Sequence, residues 1–125
     1  MHVRRIAWVG LPTDRYDDMV RLLRDVMGLR VEFAEDQTAE LSLPNDGRVQ
    51  VFGPGHAYHD FFRGQASGPV VLFEVDDVHA ARSELETAGV ELIGAIEHDR
   101  EWEWLHFRAP DGNLYELASR RRSGV

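Results

Sequence analysis

The chain has no cysteine and no lysine. The first absence excludes disulfides, thiolate nucleophiles, cysteine-ligated zinc and iron–sulfur clusters. The second excludes Schiff-base catalysis and a phosphate-loop lysine, since all 14 basic residues are arginine. Positive charge is scarce too: 22 acidic residues leave a net charge of −8, which argues against a nucleic-acid partner because phosphate neutralisation needs a basic face. The run Arg120-Arg121-Arg122 is the exception and reads as a solvated tail. No apolar stretch approaches the roughly 20 residues that span a bilayer, so no membrane partner is expected. Met1 to Arg5 leads straight into a strand without a signal-peptide core, and the expected location is cytoplasmic. No nucleophile elbow, phosphate loop or dinucleotide fingerprint is present.

What is present is repetition. Pro44-Asn45-Asp46-Gly47-Arg48-Val49-Gln50-Val51 is echoed by Pro110-Asp111-Gly112-Asn113-Leu114-Tyr115-Glu116-Leu117, each a turn followed by a short alternating strand. Gly28-Leu29-Arg30-Val31 is echoed by Gly89-Val90-Glu91-Leu92, each closing a helical pattern and opening a strand. With 125 residues, one compact domain buries about two-thirds of its unfolded surface, and two fused copies of one unit fit that size.

Arg4 to Leu11 reads as a buried strand ended by Pro12-Thr13-Asp14, with Asp14 or a neighbour as the cap of a helix. From Tyr16 to Met27, Met19, Leu22, Leu23 and Val26 recur at helical spacing, opposite a charged face; Gly28 is the stop. Residues 31–33, 39–43 and 49–52 alternate as antiparallel strands do. The glycine-rich stretch 54–68, with His56 and His59, reads as a solvated linker. The order then restarts: a strand at Val70–Val75, a cap at Asp77, a helix with Val78, Ala81, Leu85 and Ala88 on one side, Gly89 as its end, and strands over 90–96, 101–108 and 114–118. The expected fold is α+β: a single domain, 1–125, of two βαβββ modules, 1–53 and 69–120, joined by the linker 54–68.

Phe107-Arg108-Ala109-Pro110-Asp111-Gly112-Asn113-Leu114-Tyr115-Glu116-Leu117 resembles the closing hairpin of the vicinal oxygen chelate superfamily, which includes glyoxalase I, bleomycin-resistance proteins, fosfomycin-resistance enzymes and extradiol dioxygenases. Phe73-Glu74-Val75-Asp76-Asp77-Val78 and Val26-Met27-Gly28-Leu29 resemble its strand-to-helix and helix-to-strand junctions. The resemblance covers nearly the whole chain and implies a glyoxalase/bleomycin-resistance-like half-barrel with a central cleft. It also implies a homodimer. Metal-dependent members place His, Glu or Gln at four strand positions, which here fall on Trp8 (or Ala7, one residue out of register), Gln50, Val70 and Glu116. Indole and isopropyl groups offer no lone pair, so no metal is expected; Gln50 and Glu116 are the residual donors, and zinc, nickel, manganese or iron is the alternative cofactor.

Strand alternation then selects the remaining site residues. If Glu116 faces the cleft, a symmetric register across the 110–113 turn sets His106 opposite it, with Trp104 and Trp102 on the same face. The expected ligand-binding set is Trp8, Gln50, Val70, Trp102, Trp104, His106 and Glu116, a make-up that suits a flat or cationic small molecule. Three functional classes stay open: metal-independent binding or sequestration of such a molecule; a glyoxalase-like lyase or isomerase, or a dioxygenase-related enzyme, with His106 as general acid or base and Glu116 as its orienting partner, with or without a divalent metal held by Gln50, Glu116 and His106; and a module whose task is association, with Trp102 and Trp104 at an interface. Each residue also has a plainer role. Glu116 can simply bond His106, Gln50 can be an ordinary strand position, and Trp8 can be a plug.

Overall fold

A computed structural model describes residues 1–122. The elements run β1 (Val3–Pro12), α1 (Tyr16–Arg21), a π-helical turn (Leu22–Val26), β2 (Arg30–Glu35), β3 (Thr38–Ser42), β4 (Arg48–Phe52), α2 (Ala57–Gln65), β5 (Val70–Val75), α3 (Val78–Thr87), β6 (Glu91–His98), β7 (Trp102–Arg108) and β8 (Leu114–Arg120). The fold is therefore α+β, and the order βαβββ occurs twice with α2 between the copies. Two compact units are distinguished, Ala7–Val70 and Met1–Ile6 together with the chain from Val71 onward.

In the unit Ala7–Val70 the sheet order is β2-β3-β4-β1, with β1 parallel to β4 and the other pairs antiparallel. Leu23, Ala39, Leu41 and Val51 form its core, joined by Leu11, Tyr16, Met19, Val20, Val31 and Val49. That assigns one sheet face to α1, so Trp8, Gly10, Gln50 and Phe52 lie on the other. The sequence predicts one continuous helix over 16–27. Its second half is instead a π turn in which the Met27 amide bonds the Leu22 carbonyl. The wider turn rotates the following side chains off the apolar stripe, so Leu23 is buried while Leu22 and Val26 are 43% and 76% exposed. Asp14 is not the helix cap; Thr13 accepts the Arg15 amide, and α1 starts without a side-chain cap of its own.

In the other unit the order is β5-β8-β7-β6, again with one parallel pair, β5 with β8. α3 packs Val78, Ala81 and Leu85 on Val75, Leu105 and Leu117. Its N-terminus is secured twice: Asp77 accepts the His79 and Ala80 amides, and buried Ser119 accepts that of Val78.

The two echoed turns are one structure built twice. Leu43 and Gly47 pair as Ala109 and Asn113 do, at 2.8 and 3.0 Å. Asn45 caps the Gly47 amide as Asp111 caps that of Asn113. The third residue, Asp46 in one and Gly112 in the other, takes a left-handed φ of 71° and 85° respectively.

Two expectations are corrected here. The stretch 54–68 is not a solvated loop throughout: residues 57–65 form α2, capped by His56, whose ring accepts the Tyr58 amide, and anchored by buried His59 and Phe62. A helix so short in a glycine-rich sequence is held by what it packs against, which local sequence does not reveal. The arginine run is not a loose tail either. Arg120 pairs with Glu101, Arg121 bonds the Asp99 carbonyl and Arg122 pairs with Asp77.

Candidate functional site

Trp8 and Gln50 lie on neighbouring strands, where β1 and β4 pair Gly10 with Gln50. The indole lies back along β1 over Gly10: a Cβ at residue 10 would stand 2.4 Å from the Trp8 ring edge, so only glycine permits the rotamer. From there the indole Nε1 donates to Gln50 Oε1 at 3.2 Å, Gln50 Nε2 donates to Thr38 Oγ1 at 3.0 Å, and the Thr38 hydroxyl donates to the Val51 carbonyl at 2.9 Å. The relay closes on the backbone, with both amide heteroatoms of Gln50 engaged. The Trp8 ring rests on Phe52 and Phe62, with centroids 6.1 and 6.2 Å away. Val70, in the same unit, is wholly buried.

Glu116, His106, Trp104 and Trp102 belong to the other unit. Leu105 and Leu117 point to α3, which turns the alternate residues of β7 and β8 to the opposite face. The register sets His106 opposite Glu116, Trp104 opposite Ala118 and Trp102 opposite Arg120. His106 Nε2 is 2.5 Å from Glu116 Oε2, and the two residues are 1% and 3% exposed. Burial pushes the Glu116 carboxyl above its ordinary range, against a downward pull from His106. The second imidazole nitrogen, Nδ1, faces Glu97 at 3.4 Å. Glu97 gets there through a bulge: Ile93 pairs with His106 and Glu97 with Trp104, so β6 carries two extra residues around Gly94, which has a φ of 75°. In a regular ladder Glu97 would stand opposite Trp102 instead. Trp102 carries the Arg120 guanidinium over its face, 4.5 Å from the ring centroid.

The seven residues selected from sequence thus fall into two groups, one per unit. Trp8 bonds Gln50 in the first, with Val70 buried in the same unit; His106 contacts Glu116 in the second, on the face that also carries Trp102 and Trp104. Sequence reasoning missed Thr38, which ends the Gln50 relay, and Glu97, for which the glycine within β6 was the available signal of a bulge. It also missed a clamp at α2. Asp14 contacts His59 Nε2 and Arg63 Nη2, both at 2.9 Å, while His59 Nδ1 contacts Asp60 at 2.9 Å.

The donor chemistry does not suit a chelated divalent ion at the four matched positions. Trp8 and Val70 bring no lone pair, Gln50 has committed its carbonyl oxygen to the indole, and Glu116 is the one carboxylate.

The sequence matches the Glyoxalase/Bleomycin resistance protein/Dioxygenase superfamily over residues 5–117, and the chain belongs to that family. Solved structures of the same fold agree. A superfamily member from Vibrio splendidus 12B01 aligns at 16% identity and TM-score 0.69, over 96% of this chain and 100% of its own. Methylmalonyl-CoA epimerase from Mycobacterium tuberculosis aligns at 21% identity and TM-score 0.70, over 96% and 90%. A Streptomyces coelicolor methylmalonyl-CoA epimerase variant, in complex with 2-nitronate-propionyl-CoA, aligns at 19% identity and TM-score 0.69, over 97% and 100%. Among curated proteins, no sequence matches this chain. Among the described residues, no helix is long and apolar enough to cross a membrane.

Proposed function

We propose that this chain is a metal-independent binding protein for a small planar or cationic molecule, recognised on the β7–β8 face that carries Trp102, Trp104, His106 and Glu116. The observation that carries the reading is the Arg120 guanidinium stacked on Trp102: a flat cation already sits on that ring. The net charge of −8 favours the same ligand sign. Trp8 and Gln50 support it indirectly, because they fill with an indole and an occupied amide the positions where metal-dependent relatives hold their ion. The protein acts in the cytoplasm as a homodimer on this reading, which light scattering and cell fractionation check.

The test is thermal shift and tryptophan fluorescence against a panel of planar cationic compounds, amidines and guanidines included. Binding that weakens about 3- to 30-fold in Trp102→Ala, the range of a desolvated cation–π contact, and strengthens in Arg120→Ala, where the resident cation is gone, supports the reading. If no compound stabilises the protein, or if Trp102→Ala leaves affinity unchanged, the reading fails.

The contact between His106 and Glu116 favours one alternative, a glyoxalase-like lyase or isomerase in which this pair moves a proton. A buried imidazole 2.5 Å from a carboxyl of raised proton affinity has the form of an acid–base couple. The epimerase neighbours make acyl-CoA thioesters the substrate class to try. Exchange of the α-proton with deuterated solvent, lost in His106→Ala and Glu116→Gln, is the expected result; exchange that survives both variants rules the pair out.

A further inference from the structure

Two guanidinium groups already rest on the sheet face that carries the candidate site. Arg120 stacks on Trp102 and bonds Glu101 Oε2 at 3.1 Å. Arg5 supplies the second: its Nε donates to Glu74 Oε1 at 2.8 Å. Phe73 packs toward α3, so Glu74 projects from β5 to the opposite face, the one shared by His106 and Glu116. The Glu74 side chain is only 12% exposed. A carboxylate so far withdrawn from water needs a cation beside it, and Arg5 provides one.

Strand register fixes where the two cations sit. Glu74 lies beside Ala118 on β8, and Ala118 beside Trp104 on β7; Arg120 and Trp102 form the neighbouring row of the same face. Two strand spacings across and two residues along put the Glu74 and Trp102 Cα atoms about 12 Å apart. Trp104 borders the diagonal between them, and its half-buried indole offers an apolar edge to anything that spans it. Neither arginine is locked in place. Their side chains are 39% and 64% exposed, so each has water to turn into, and partly exposed ion pairs hold their members weakly.

We infer that the ligand is a dication: one flat cationic group replaces Arg120 on Trp102 and a second replaces Arg5 on Glu74, so that Glu74 determines specificity. The inference rests on the reading of the β7–β8 face as a cation site and narrows it to molecules whose two cationic ends lie about 12 Å apart. Joining the ends makes the second contact intramolecular, so a linker of matching span raises affinity beyond either contact alone, and a shorter one forfeits the gain.

The probes are α,ω-diguanidinoalkanes from ethylene to decamethylene, with butylguanidine as the single-ended control, titrated by tryptophan fluorescence into the wild type, Glu74→Gln and Arg5→Ala. Affinity is expected to peak where the guanidinium groups span about 12 Å, at least about tenfold above butylguanidine. Glu74→Gln removes the peak. Arg5→Ala clears the subsite of its competitor and raises affinity at the peak about 3- to 10-fold. Because Arg5→Ala keeps the carboxylate, a folding defect in Glu74→Gln does not decide the outcome. Affinity with no dependence on length overturns the inference, as does a peak that survives Glu74→Gln or weakens in Arg5→Ala. Single-ended cations weakened by Trp102→Ala, alongside diguanidines with no length dependence, would keep the cation site and discard the dication. A length peak untouched by Trp102→Ala would overturn the pairing of the two subsites.

Discussion

Gln50 illustrates how one side chain decides between a ligand position and a structural one. Its amide bridges Trp8 and Thr38, and truncating it leaves an indole N–H without its acceptor. An orphaned donor of this kind costs about 1–3 kcal/mol, so Gln50→Leu is expected to lower stability by that amount in urea unfolding. Trp8→Phe combined with Gln50→Leu should cost less than the sum of the single changes, because the donor left stranded by one is removed by the other. Additive costs would mean the bond carries no stability. Glu116 gives a prediction in pH. Burial raises its carboxyl above the ordinary 4.5, so the folded state holds that proton to higher pH than the unfolded chain does. Its contribution is full below 4.5 and is lost as pH rises through the raised value. Wild-type stability relative to Glu116→Gln should therefore decline as pH rises above 4.5. A difference that is flat or grows with pH contradicts the burial argument.

At the scale of elements, the echoed turns explain why so much of the fold was legible. Each demands a left-handed third residue and an Asx acceptor before it, and few residue types supply either, so the sequence had to repeat itself. Gly112→Ala is expected to destabilise by about 1 kcal/mol, with no contact to blame, since nothing lies within 4 Å of the added methyl. Gly112→Asp should cost less, because Asp46 holds the same place in the other copy; a thermal melt of each variant ranks them. Asp77 was legible for the same reason, and Asp77→Ala should cost about 1 kcal/mol through the lost α3 cap. What was not legible depended on contacts rather than on local preference. The π turn at Leu22, the bulge around Gly94 and helix α2 each depart from the simple period of the sequence. Each is stabilised by residues far along the chain, such as Asp14 for α2. The site divides in the same way: the opposition of His106 and Glu116 follows from counting residues across a turn and Glu97 from the bulge that Gly94 signals, whereas Thr38 and Phe62 enter through side-chain reach that no spacing encodes.

For the molecule as a whole, family membership follows from element order, and the ligand does not, because one arrangement of strands is compatible with several chemistries. The sharpest molecular consequence concerns divalent ions. Any ion that binds the folded state alone adds RT ln(1 + [M]/Kd), about 2.7 kcal/mol at a hundredfold excess over Kd, which shifts Tm by several degrees in a chain of this size. With a donor set reduced to one carboxylate and one committed amide, affinity at the four matched positions should be too weak to reach that excess at micromolar metal. Protein dialysed against chelator and titrated with zinc, nickel, manganese or iron is expected to melt at the same temperature as before. A rise of several degrees with one of them, abolished by Glu116→Gln, would show that the chain builds an ion site from donors other than those its strand positions supply. A rise that Glu116→Gln leaves intact would place the ion elsewhere.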